Sequence, residues 1–163
     1  MEKTQPDFVY ISYIRTTPEK LWNALINPEI TQLYFMGVAF ETDWNPGSPL
    51  YTHPQGGEKK LWGTVKAFEP PRLLAYTFDG PAHGPKPHRA TLATFEMQPH
   101  GDGVRLYLTH SQLTPEDVDS RKNTFHGLNN GWPAILSGLK SFLETGESIR
   151  LEDMNAQGEY GGA

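Results

Sequence analysis

Six histidines are the side chains of this sequence best suited to metal binding or proton transfer, but their spacing forms no metal-binding or catalytic motif. His83 and His88 lie in a Gly/Pro-rich segment, DGPAHGPKPH, and His100 stands beside a Gly-Asp-Gly turn. No histidine pair has the HExxH spacing of a zinc enzyme, and the chain has no cysteine to act as thiolate or nucleophile. Nucleophile-elbow, P-loop and dinucleotide-binding motifs are also missing. The sequence therefore predicts no metal and no cofactor, and it favours a binding protein over an enzyme.

The last two predicted strands can be aligned across the turn Gly101-Asp102-Gly103. In this alignment, polar side chains lie together at the end of the strand pair that is far from the turn. Pairing Met97 with Val104 keeps the apolar residues of both strands on one face and sets Glu96 opposite Arg105 on the other. The same register gives these inward pairs: Phe95 with Leu106, Thr91 with His110, and Arg89 with Gln112. We therefore expect an inward face that is apolar near the turn and polar at its far end.

Arg89 is the residue of this polar end that most needs a partner. An arginine facing a partly apolar groove requires a carboxylate, a carbonyl or water, and no Asp or Glu falls on the inward positions of these strands. The pattern predicts an anionic or carbonyl-bearing ligand headgroup near Arg89, with His110 and Tyr76 as donors. The predicted site is completed by Thr91 and by apolar residues along the ligand's tail: Phe95, Leu106, Trp132 and Leu136. The loop 79–88 is expected to border the mouth of this groove.

An amphipathic helix is predicted at the segment GWPAILSGLKSFLETG, residues 131–146. Its apolar residues recur at helical spacing along one side, namely Trp132, Ile135, Leu136, Leu139, Phe142 and Leu143. Pro133 suits only a first turn, so the regular helix is expected to begin or bend near Gly131, and Gly146 suits a C-terminal cap. The stripe predicts a helix lying against a wide apolar surface, with Trp132 closing one end of the space between them.

The remaining elements follow from capping and turn residues. Thr17-Pro18-Glu19 and Asn27-Pro28-Glu29 predict two short helices, 18–26 and 28–34, after a first strand at 8–15. A third copy at Thr114 predicts another helical turn. Turn-forming residues separate further strands at 38–42, 49–53, 60–68, 72–78, 89–98 and 104–112. This order predicts an α+β domain with an antiparallel sheet.

Length and charge limit the possible functions. The 163 residues suit one domain, which we place at 1–146, followed by a polar, Gly-rich tail at 147–163. The formal charge of −5 and the lack of a basic cluster argue against nucleic acid and against an anionic membrane surface. No apolar run could span a bilayer, and the first residues do not resemble a signal peptide. We expect a cytoplasmic protein.

The chain resembles the START-like (SRPBCC) superfamily, and most of all proteins homologous to the C-terminal domain of the activator of Hsp90 ATPase. The resemblance runs over residues 8–146 and rests on the segments TPEKLWNALINPEITQLYF, FEPPRLLAYTF, ATFEMQP, VRLYLTH and GWPAILSGLKSFLETG. It implies a helix-grip fold, in which a curved antiparallel sheet of about six to seven strands wraps around the long C-terminal helix. It also implies a cavity between sheet and helix, but no shared catalytic residues.

Three functions of different classes remain, in this order of preference. The first is binding of a small hydrophobic or amphipathic molecule in the cavity. The second is a chaperone-interacting module of the heat-shock ATPase activator type. The third is an enzyme of the cyclase or hydratase kind, for which the candidate groups inside the pocket are His110, Tyr76, Tyr51 and His53. The aromatic content and the weakly anchored tail also suggest a homodimer.

Overall fold

The computed structural model describes residues 6–54, 57–78, 90–113 and 128–149. In chain order the elements are β1 Phe8–Ile14, α1 Pro18–Ile26, α2 Pro28–Tyr34, β2 Val38–Glu41, β3 Pro49–Pro54, β4 Lys60–Glu69, β5 Leu73–Phe78, β6 Thr91–His100, β7 Gly103–Ser111 and α3 Leu128–Thr145. Over these residues the strands form one seven-stranded antiparallel sheet, in the order β1-β7-β6-β5-β4-β3-β2. The α+β helix-grip prediction is confirmed, and each strand begins and ends within two residues of its expected position.

Both short helices begin at the capping residues that predicted them. The hydroxyl of Thr17 accepts a hydrogen bond from the backbone N–H of Lys20 at 3.2 Å, and Pro18 takes the first helical position. The side-chain oxygen of Asn27 accepts from the N–H of Glu29 at 2.9 Å and starts α2 directly after α1. These caps satisfy backbone donors that the first turn of a helix leaves without partners.

The β6–β7 hairpin has a register that differs by two residues from the expected one. Met97 lies opposite Leu106, not Val104, because the strands continue to a tight turn in which His100 faces Gly103. Gly101 adopts φ +61°, which a glycine accepts without strain. Because side chains alternate with a period of two, a two-residue shift preserves which face each residue occupies.

One predicted pair on the outer face of this hairpin is therefore wrong. Glu96 lies opposite Tyr107 and not opposite Arg105, which lies opposite Gln98. The guanidinium of Arg105 is instead 5.1 Å from the ring centroid of Tyr107, within the range of a cation–π contact.

The long helix α3 begins three residues before its expected start at Gly131 and includes Pro133 in its interior. Proline has no N–H, so the helix lacks one backbone hydrogen bond there. The predicted stripe is otherwise confirmed, since the side chains at its centre are buried: Trp132, Ile135, Leu136 and Leu139. Gly146 ends the helix at φ +88° and donates its N–H to the carbonyl of Phe142 at 2.8 Å.

The C-terminal end of α3 is attached to the edge strand β1. Lys140 donates to the carbonyl oxygen of Tyr13 at 2.5 Å, and the Glu144 carboxylate accepts the backbone N–H of Arg15 at 2.8 Å. Lys140 and Glu144 also form an ion pair at 2.8 Å. The N–H of Arg15, together with Lys140, holds the pKa of the Glu144 carboxyl below its usual value. These contacts join helix and sheet at the edge where the sheet begins.

Within the described residues, none of the helices combines the length and apolar character that spanning a bilayer requires. The predicted loop 79–88, the helical turn at Thr114 and most of the tail from residue 150 onward lie outside the described residues.

Candidate functional site

Seven of the eight predicted site residues lie within the described part of the chain, and all seven are buried. They come from three strands and one helix: Tyr76 on β5, Thr91 and Phe95 on β6, Leu106 and His110 on β7, and Trp132 and Leu136 on α3. The eighth, Arg89, lies outside the described residues. The four elements bring these side chains into the interior between the sheet and α3.

Three of these residues form a buried polar cluster, which we call the His110 cluster: Thr91, His110 and Trp132. Nε2 of His110 lies 2.7 Å from the hydroxyl oxygen of Thr91, and the indole Nε1 of Trp132 donates to Nδ1 of His110 at 3.0 Å. An indole nitrogen can only donate, so Nδ1 must carry a lone pair. The imidazole is therefore neutral, with its proton on Nε2 donated to Thr91.

The hydroxyl of Thr91 keeps one proton of its own after accepting from His110. In the portion of the chain that is described, no acceptor for that proton is found beside the histidine contact. Thr91 is the first residue of β6, at the end of the strand that follows segment 79–89. The cluster thus leaves one hydroxyl donor at the polar end of the inward face.

The His110 cluster forms although the predicted pairing of its residues is wrong. His110 lies opposite Ala93, and Thr91 is its diagonal neighbour two residues along the same face. Such diagonal positions remain within reach of longer side chains. Gln112, which we expected on the inward face, is exposed and follows β7 with φ +65°.

Aromatic rings surround the His110 cluster on the inward face. The ring centroid of Trp132 lies 5.7 Å from Phe35, 5.9 Å from Phe78 and 5.8 Å from Phe95, each in edge-to-face geometry. Tyr76 stacks on Phe78 at 5.9 Å with an angle of 11° between the planes. Edge-to-face and offset contacts of this kind add to the stability gained from burial alone.

Four aromatic residues outside the predicted site also belong to this ring network: Phe35, Phe40, Trp62 and Phe78. Phe35 contacts Phe40 at 4.9 Å and Trp62 at 5.8 Å, and Trp62 contacts Phe78 at 4.7 Å. Phe78 and Phe40 carry a signal that was available, because each alternates with polar or exposed neighbours along its strand. Phe35 directly follows helix α2, so no strand alternation in the sequence predicts whether its side chain faces the core.

Two buried tyrosines are held in their neutral form. Burial raises the pKa of Tyr76 well above its usual value, and the neighbouring Tyr34 adds to the shift. Burial raises the pKa of Tyr34 as well, and its hydroxyl donates to the carbonyl of Ala24 at 2.8 Å. A neutral phenol can donate a hydrogen bond but cannot act as a base.

The other enzyme candidates, Tyr51 and His53, are not part of this site. On β3 they alternate with the buried residues Leu50 and Thr52, so they face away from the core. Nε2 of His53 lies 3.3 Å from the Glu41 carboxylate on the surface. Among the residues described, no group of three or more His, Asp or Glu side chains could hold a metal ion.

The arrangement is therefore suited to hydrogen bonding rather than to proton transfer. A neutral imidazole fixed by an indole orients a threonine hydroxyl, which can donate to a carbonyl or carboxylate oxygen. The surrounding rings place this hydroxyl in an apolar environment.

The fold is that of a START-like protein of the helix-grip type. The sequence profile of the family described as "Activator of Hsp90 ATPase homolog 1-like protein" matches residues 15–144, and the chain belongs to that family. A comparison with curated proteins gave no match.

Solved structures of similar shape come from several bacteria. A protein of Mesorhizobium loti is 25% identical, with a TM-score of 0.67, and the alignment covers 85% of this chain and 96% of that one. A solution structure from Cytophaga hutchinsonii is 26% identical, with a TM-score of 0.64 and coverage of 86% and 95%. The Aha1 dimer from Colwellia psychrerythraea is 19% identical, with a TM-score of 0.67 and coverage of 88% and 100%. At 19% identity the last of these supports the fold alone.

Proposed function

We propose that the protein binds a small amphipathic molecule, with a carbonyl or carboxylate headgroup, between the sheet and α3. The observation that carries this proposal is the His110 cluster. A threonine, a histidine and a tryptophan are buried together among aromatic rings, and the threonine hydroxyl retains a proton to donate. Buried polar groups are costly unless they are satisfied, so a donor in such a place favours a ligand oxygen as its acceptor.

The positive charge of Arg89, expected at the polar end of the inward face, supports a ligand headgroup that carries an oxygen anion. Arg89 stands two residues before Thr91 in the sequence, and we expect its side chain on the same face, because a strand that continues to residue 89 would keep that spacing on one face. A guanidinium next to a hydroxyl donor binds a carboxylate through charge-assisted hydrogen bonds. The ring network would contact the ligand's apolar tail.

The test uses a fatty acid and its uncharged analogues as probes. Decanoate, decanol and decane share one tail and differ in the headgroup, and calorimetry with the purified full-length protein measures each affinity. We expect decanoate to bind most tightly and Thr91→Val to weaken it by about tenfold or more, since hydrogen bonds to charged groups contribute roughly 1.5–3 kcal/mol.

The matched control is Thr94→Val, on the same strand but on its other, half-buried face. It should leave the decanoate affinity unchanged, while Arg89→Gln should reduce decanoate binding more than decanol binding. Equal affinities for the three probes, or an unchanged affinity in Thr91→Val, would overturn the proposal.

A chaperone-interacting module is the second candidate, and the family match favours it. In this role the protein would bind Hsp90 through its surface and change its ATPase rate. Purified Hsp90 titrated with the protein provides the test. An ATPase rate that stays constant, with no binding heat, would exclude this role.

We also propose that the protein forms a homodimer and acts in the cytoplasm. The Colwellia neighbour is described as a dimer, which makes the same state a reasonable expectation for this chain. A chain with no cysteine folds without an oxidising compartment, in keeping with a cytoplasmic location. Light scattering on the native protein tests the dimer, and cell fractionation tests the location.

A further inference from the structure

The edge strand β1 exposes an apolar face that the site described above does not use. Its side chains alternate, so that Val9, Ile11 and Tyr13 are 43%, 41% and 52% exposed. Half of the large, exposed hydrophobic side chains in the described residues therefore lie on one seven-residue strand. An exposed apolar edge strand is a typical site for pairing with another chain.

Among the described residues, the backbone of β1 is also open along part of its outer side. In this part of the chain β1 pairs only with β7, because it is the first strand of the sheet. The carbonyl of Tyr13 and the N–H of Arg15 bind α3 side chains, so the odd-numbered residues direct their backbone groups away from β7. By the same alternation, the N–H and C=O groups of Val9 and Ile11 face the open edge.

The sequence around Ile11 is complementary to itself in an antiparallel arrangement. With a twofold axis at Ile11, Val9 of one copy lies opposite Tyr13 of the other, and the exposed Asp7 lies opposite the exposed Arg15. The Arg15 guanidinium is 3.2 Å from Asp102 of its own copy, so Asp7 of the second copy would join an existing surface ion pair. Opposite residues in an antiparallel pair share a face, so the apolar side chains of the two copies would meet on the same side. Two apolar pairs and two ion pairs then flank the central isoleucines.

We infer that β1 is the interface of a homodimer, in which the β1 strands of two copies pair antiparallel about Ile11. The inference rests on the homodimer proposed above and names its surface. The carbonyl of Tyr13 has two lone pairs, so it can accept an N–H from the second copy while Lys140 stays in contact. The two seven-stranded sheets would join into one continuous sheet.

Substitution at the twofold axis tests this inference, because Ile11 would face its own copy. Ile11→Lys and Ile11→Glu each set two like charges directly opposite one another, which destabilises a strand pair. Light scattering should show a dimer for the native protein and a monomer for either variant. An equimolar mixture of the two variants should form a heterodimer, since the charges are then opposite.

Leu33→Lys is the matched control. Leu33 is 50% exposed on α2, away from β1, and this variant should remain a dimer. Circular dichroism checks that every variant is folded. A native protein that stays monomeric would overturn the homodimer itself. A dimer that persists in Ile11→Lys, or a mixture that stays monomeric, would overturn only the β1 interface.

Discussion

Two hydrogen bonds determine the protonation state of the buried histidine, His110. His110 is 1% exposed and stays neutral because an indole donates to one nitrogen while the other donates to a threonine. The period of side chains along β6 and β7 was enough to predict that Thr91 and His110 lie together. It could not predict the indole contact, because the rotation and height of α3 depend on packing across the whole core.

Trp132→Phe tests the contribution of that indole hydrogen bond. The phenyl ring retains much of the aromatic contact, but Nδ1 of His110 loses its donor inside the protein. We expect the free energy of unfolding to fall by about 1–3 kcal/mol, the usual cost of a buried polar group left unsatisfied. Urea denaturation measures the change.

Trp44→Phe serves as the comparison for Trp132→Phe. The Trp44 ring stacks on Phe68 at 5.9 Å and is only partly buried, so this variant should lose less stability. Equal losses in the two variants would show that ring size, and not the bond to His110, determines the effect.

Short capping sequences determine where the helices start, and this explains why α1 and α2 were predicted correctly. Threonine or asparagine followed by proline and glutamate satisfies the first turn locally, whatever the rest of the chain does. The start of α3 was predicted three residues late because Pro133 is unfavourable in a helix interior, and packing against the sheet overcomes that preference.

Thr17→Ala removes the cap of α1 and should lower the free energy of unfolding by about 1 kcal/mol. The neighbouring Thr16 is an informative control, because its hydroxyl is buried with no hydrogen-bond partner among the described residues. Thr16→Val replaces that hydroxyl with a methyl group and should be neutral or stabilising. Thermal unfolding distinguishes the two variants, and a larger loss in Thr16→Val would contradict this account.

Hydrogen bonds attach the long helix α3 to the edge strand β1, and the stability that they contribute should depend on pH. The hydrogen bond from the N–H of Arg15, with help from Lys140, lowers the pKa of Glu144 in the folded protein. The folded state therefore holds this group charged where the unfolded chain begins to protonate it. This contribution to stability is present above the ordinary pKa of 4.5 and is lost as the pH falls.

Glu144→Gln should destabilise the protein at about pH 7 and make progressively less difference as the pH falls below about 4. Urea denaturation across this range measures the difference. Glu96→Gln, on the exposed face of β6, is the control and should change the free energy of unfolding at pH 7 by much less. A Glu144→Gln difference that stays constant with pH would show that the carboxylate charge is not involved.

We propose that the chain consists of a folded domain at 1–146 and a tail at 147–163. The carbonyl of Glu147 accepts hydrogen bonds from Ser141 and Thr145, so the first residues after α3 are attached to it. A chain ending at residue 149 should keep those bonds and unfold at the same temperature as the full protein. A large drop in its melting temperature would show that the tail is part of the folded unit.

At this scale the fold was predicted well and the site less well. The order of strands and helices, and the apolar stripe of α3, follow from periodicity within each segment. The position of Phe35 in the ring network depends on how α2 lies against the sheet, which no local pattern contains. The predicted register of the β6–β7 hairpin was wrong for a similar reason. The length of the turn determines this register, and the alternation of side chains does not.

The pairing of β1 with β7 has a consequence for how the protein is made. Ile14 pairs with Val104, so the ribosome must add 90 residues after β1 before the end of this strand can meet its partner. At typical rates of synthesis that interval is roughly 5 to 20 seconds. Throughout that interval β1, with its three outward apolar side chains, lacks β7, the described strand with which it pairs. Until β7 emerges, both backbone edges of β1 are therefore unpaired, which makes this strand prone to aggregation in the nascent chain.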